Sequence, residues 1–138
     1  MFTEQSTIFV YDAKAQDIEA QMTNNTMDLR LKQKHSAQMI DQINFKYEQE
    51  KDLVRNEMDK NPDKVSSEYL ELMADLNELK EKESKEVERQ EEESTDYQNH
   101  IEQENATLES QLKAINADKE ALKETLKSNV EKVFGYFQ

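Results

Sequence analysis

The segment best able to do chemistry is "DKNPDKVSSEYLE", 59–71, which opens Asp-x-Asn-x-Asp between two helix-forming stretches, like an EF-hand calcium loop. Calcium in such a loop needs a glycine at the sixth position, for the sharp turn, and a bidentate glutamate at the twelfth. Lys64 and Leu70 stand there instead. Asp59, Asn61 and Asp63 are therefore better explained as turn and capping residues. The two histidines, His35 and His100, give no stronger metal signal. His100 and Glu104 share a helix face four residues apart, but two ligands do not make a site. Neither histidine follows a Glu by three residues, the arrangement of di-iron helical bundles.

Nucleophilic catalysis has equally little to use. The chain has no Cys, no Gly-rich phosphate loop, and no histidine with a recognisable acid and nucleophile. Its carboxylates are abundant, yet they fall on solvated helical sequence, where nothing raises a pKa for acid catalysis. "NNT" (24–26) and "NAT" (105–107) match glycosylation acceptors by chance, and the six methionines suit helix seams. No catalytic, cofactor-binding or metal residue is assigned, and neither enzyme activity nor a cofactor is expected.

Composition narrows the remaining classes. Charged residues make up 36% of the chain against 35% apolar, with one Gly, one Pro and no Trp, which suits long helices and lacks the turn residues a β-fold needs. The recurrence of apolar residues with helical period argues against simple disorder. A net charge of −13 opposes nucleic-acid binding, which depends on neutralising phosphates, and also opposes anionic membranes. No run has the length of a membrane-spanning helix. The N-terminal residues lack the basic and apolar regions of a cleaved signal peptide, so none is expected, and an extracellular assembly or a virion remains open as a location. The absence of cysteine fits either redox compartment.

The elements follow from periodicity. Residues 1–11 contain "TIFVY", β-branched and aromatic, which predicts a short extended, β-like arm. A first helical arm is expected over 12–60, its stripe marked by Ile18, Met22, Leu29, Ile40, Ile43, Tyr47, Val54 and Met58, with a possible break at "TNNT", 23–26. Asn61-Pro62-Asp63 predicts a turn over 61–64 that caps a new helix. A long second helix is expected over 65–134, then an aromatic tail, 135–138, with Gly135 just past the helix end in a left-handed conformation. The predicted fold is all-α, a long antiparallel helical hairpin or coiled coil. It becomes a three-helix bundle if "ESTDYQNH", 93–100, is a break.

Two heptad stretches mark the second helix. Val65, Tyr69, Leu72, Leu76 and Leu79 form one; Ile101, Leu108, Leu112, Ile115, Leu122, Leu126, Val133 and Tyr136 form the other, with Asn105 and Lys119 as polar seam residues that fix register. Joining them requires successive four-residue steps near 79–87 and 101–108, which locally unwind a supercoil. Residues 81–109 hold eleven acidic and three basic side chains, while Lys119, Lys123 and Lys127 make a basic row.

Both ends are aromatic: Phe2, Ile8, Phe9, Val10 and Tyr11 at one, Phe134, Tyr136 and Phe137 at the other. About 70 residues of second helix rise roughly 105 Å, which about 48 residues of first helix plus a ten-residue extended arm would match. "TIFVY" is therefore expected beside "VFGYF". Exposed strand edges and aromatic faces invite another chain, so these residues, with Leu108, Leu112, Ile115, Leu122, Leu126 and Val133, are the expected assembly interface.

The turn "NPDKVSSEYLELMADL" and the tail "VEKVFGYF" loosely resemble those of filament and needle subunits of type III secretion systems. The resemblance implies a helical hairpin that polymerises with its C-terminal helix inward. The chain departs from that pattern in its greater length and its acidic 81–109 segment. A Lys-, Glu- and Asn-rich coiled coil of this kind equally resembles phage virion components. The expectation is a non-enzymatic coiled-coil subunit whose main partner is itself, in a filament or larger homo-oligomer, with other structural proteins as further partners. The alternative is an adaptor or chaperone hairpin that binds one partner protein, and a metal-binding bundle is a third reading.

Overall fold

The computed structural model describes residues 4–136, with side chains from Ser6 to Gly135. Two α-helices, α1 (Glu4–Asp59) and α2 (Ser67–Tyr136), pack against each other as a helical hairpin, and no strand occurs among the described residues. Neither Gly nor Pro interrupts either span before Gly135, so nothing in the backbone chemistry forces a break.

Two expectations change, and two possible breaks do not occur. The stretch from Glu4 to Tyr11 is helical, not an extended arm. Strand propensity is a weak prior, and here Ile8 and Tyr11, both half-buried, extend the three-and-four spacing that continues through Ala15 and Ile18. Residues 93–100 are helical within α2, so the three-helix alternative does not form. Gly135 lies inside α2 and has no positive φ; it does not end the helix in a left-handed conformation. "TNNT" does not break α1 either. The hydroxyls of Thr23 and Thr26 donate to the carbonyls of Glu19 and Met22, both at 3.0 Å, so the side chains that could compete for the backbone bond within the helix instead.

The connection is built from short polar side chains. After Asp59 the chain tightens, with the Asn61 N–H donating to the Met58 carbonyl at 3.1 Å. Asn61 Oδ1 accepts from the Asp63 N–H at 3.1 Å, and Asp63 Oδ1 accepts from the Val65 N–H at 3.0 Å, two successive Asx-type turns. Ser66 then caps α2: its Oγ accepts the Tyr69 N–H at 3.2 Å, and Asn61 Nδ2 donates to the same oxygen at 3.2 Å.

The chain divides into two compact units, and each contains part of both helices. One combines the chain up to Asp28 with the chain from Asn99; the other is Leu29–Gln98. In the first, Ala15 and Ile18 of α1 and Ile101 and Leu108 of α2 are buried, with Leu112, Ile115, Leu122 and Leu126 half-buried on the same face. Full burial of an Ile or Leu side chain stabilises by about 1.5–3 kcal/mol. In the second unit Tyr47 is the one apolar residue buried among the described residues, alongside buried Ser36 and Lys51. The covered positions of α2 there include Glu83, Glu86, Gln90 and Ser94, so polar side chains take much of the face that meets α1.

Candidate functional site

Among the described residues, the polar links between α1 and α2 include four pairs that follow from hairpin geometry. In the first unit, Asn25 Nδ2 donates to Asn105 Oδ1 at 3.0 Å in a partly buried setting. Lys119 Nζ lies 2.7 Å from Asp12 Oδ1, and the hydrogen bond to Asp12 raises the lysine pKa. In the second unit, the Tyr47 hydroxyl donates to Glu86 Oε1 at 2.7 Å. That bond first, then burial and the charges of Glu86, Glu50 and Glu83, pushes the phenol up to about 12.

The fourth link is the buried Lys51, whose Nζ lies 3.2 Å from both Glu48 Oε2 and Glu83 Oε2. Burial pulls this lysine pKa down, but hydrogen bonds and charge from Glu48 and Glu83 outweigh it, and the net direction is up. Arg55 completes the cluster on α1, bonding Glu48 at 2.9 Å and Asp52 at 3.0 Å. The Arg55 bond, then Lys51, holds the Glu48 carboxyl below the usual range. These links are fixing contacts: each ties one residue of α1 to one of α2 or orders its neighbours, and none presents an activated group to a cavity.

Ser36 is different. It is 4% exposed, and its hydroxyl has no hydrogen-bond partner. It borders a shallow groove of about 410 Å³ lined by Gln33, Ala37, Ile40, Glu91, Ser94 and Thr95. A depression of about 650 Å³ around Ala74, Glu78 and Glu81 is formed by α2 alone and is an open helix face. Among the described residues no three His, Cys, Asp or Glu side chains gather to hold a metal ion. Asn61 and Asp63, from the calcium-like motif, hold the turn through their hydrogen bonds. His100 and Glu104 lie 3.7 Å apart on an exposed face. No helix among the described residues is long and apolar enough to cross a membrane.

The expected interface residues separate into two groups. Leu108 is buried, and Leu112, Ile115, Leu122 and Leu126 are half-buried on the α2 face that includes Lys119, which reaches α1. Ile8 and Tyr11 are half-buried, whereas Phe9, Val10, Val133 and Phe134 are exposed. Phe2, Phe137 and the Tyr136 side chain lie outside the described residues. With α1 helical from Glu4 and Asp12 level with Lys119, the start of α1 falls short of Val133 and Phe134.

Sequence reasoning singled out Asn105 and Lys119 without finding their partners, and it missed Tyr47–Glu86 and Lys51–Glu83. The turn gives only an approximate signal: in an antiparallel hairpin residues at similar distances from the turn face each other, but Asn25 and Asn105 lie 35 and 39 residues from the two ends of the 60–66 connection. No family model, curated protein or solved structure matches the chain.

Proposed function

We propose that the chain is a non-enzymatic structural subunit that self-assembles into a filament or larger homo-oligomer, of the secretion-filament or virion kind, its helices pairing as a coiled coil. One observation carries this reading. Among the described residues twelve large apolar side chains are exposed, so a substantial apolar surface lies outside the hairpin interface. Single exposed apolar residues are ordinary, but grouped ones mark contact surfaces. Val130, Val133 and Phe134, at 45%, 55% and 66% exposure, form such a group near the end of α2. Removing that surface from water favours association at roughly 25 cal/mol per Å² before association costs.

Sedimentation velocity across a concentration series, with electron microscopy of the same samples, tests the proposal. Large, concentration-dependent species are expected, and deletion of 134–138 should reduce them sharply. A chain that stays monomeric or dimeric at every concentration would instead fit an adaptor hairpin and overturn self-assembly.

A further inference from the structure

Within the unit formed by Leu29–Gln98, α1 turns Leu29, Lys32, Ser36, Ile40, Ile43 and Tyr47 toward α2, all buried or half-buried. The opposite side carries Leu31 and Phe45, 63% and 66% exposed and two heptads apart. The charges of this stretch are unusual for so acidic a chain. On the side away from α2 this stretch carries Arg30 and Lys34 against Asp41, with Lys46 at the edge of the face over the Tyr47 ring. On α2, Glu83 and Glu86 engage α1, and the side away from α1 exposes Glu81, Glu88, Glu92 and Asp96 against Lys85 and Arg89, a net of −2. Among the described residues no ion pair engages Arg30, Lys34, Glu88 or Glu92.

Resting on the self-assembly reading, we infer that copies meet unlike face to unlike face. The outward side of α1 over 30–46 in one copy seats on the outward acidic side of α2 over 81–96 in a second copy. Charge decides against the symmetric alternatives. Two α1 faces in antiparallel apposition would bring Arg30 and Lys34 of one copy toward Lys46 of the other, and two α2 faces would oppose glutamate to glutamate. The unlike pairing sets basic against acidic, and Leu31 and Phe45 are covered by the aliphatic stems of Lys85 and the glutamates. A contact of this kind uses a different surface on each partner, so every copy retains one of each and growth continues until a ring closes.

The test uses two charge-reversed full-length chains, Arg30→Glu/Lys34→Glu/Lys46→Glu and Glu81→Lys/Glu88→Lys/Glu92→Lys. Circular dichroism confirms helix content, and sedimentation velocity reads association of each alone and of an equimolar mixture. Each alone should associate at least about tenfold more weakly than the unaltered chain. The mixture should recover, because the reversed α1 complements the reversed α2 and the unaltered faces complement each other. Leu31→Gln/Phe45→Gln, which leaves charge unchanged, should also weaken association and serves if a reversed chain misfolds. If the unaltered chain assembles and the reversed chains assemble equally well, or fail to recover on mixing, this contact is wrong and self-assembly stands. If the unaltered chain never assembles, both are overturned.

Discussion

At the scale of single residues, the polar links decide which partner each helix position meets, more than how tightly it is held. Asn25 and Asn105 satisfy one another inside a largely apolar stretch. Asn105→Ala strands the Asn25 amide and should cost roughly 1–3 kcal/mol, whereas Asn25→Leu/Asn105→Leu should leave stability equal or higher. The same double variant should broaden the species seen by sedimentation, because a polar pair at one seam position excludes shifted registers. Tyr47 gives a pH signature. Its folded-state pKa lies near 12, above the ordinary 10, so its stabilising contribution is complete below about pH 10 and is lost as pH rises toward 12. Thermal melts should show the midpoint falling over that window, with the Tyr47 part of the fall missing in Tyr47→Phe. Both residues were visible in the sequence as members of a stripe; their partners were not, because pairing depends on the exact placement of the turn.

At the scale of elements, the turn sets that placement. The serine at 66, not the Asn-Pro-Asp triplet, caps α2, and Asn61 reaches across the connection to hold it. Ser66→Ala should destabilise the hairpin by about 1 kcal/mol, measurable by chemical denaturation. Gly135→Ala should not, since a Cβ there meets nothing within 4 Å and the backbone is already helical. The helices themselves were legible from composition and period. "TIFVY" misled because β-branched and aromatic residues state only a local preference; as part of a helix Ile8 and Tyr11 are half-buried on the stripe that leads to Ala15 and Ile18. "ESTDYQNH" reads as either helix or break because its residues have weak helix propensity but include no Gly or Pro; it is helical within α2.

At the scale of the whole molecule, the net charge of −13 opposes folding and association alike. Raising salt from about 0.01 M to about 0.1 M shortens the screening length from roughly 30 Å to 10 Å. The melting midpoint should rise across that range, as read by circular dichroism, because repulsion among many carboxylates outweighs the few ion pairs lost. The polar stretch in which Ser36 faces the groove with Ser94 has a different consequence. With Lys32, Ser36, Gln90 and Ser94 on the covered positions, polar side chains dilute the apolar cover that Leu29 and Ile40 give that part of the face, and a buried hydroxyl goes unbonded. Local opening there sacrifices little, so within Leu29–Gln98 this stretch should part before the one held by Tyr47 and Lys51, its backbone amides exchanging sooner and a protease cutting it earlier.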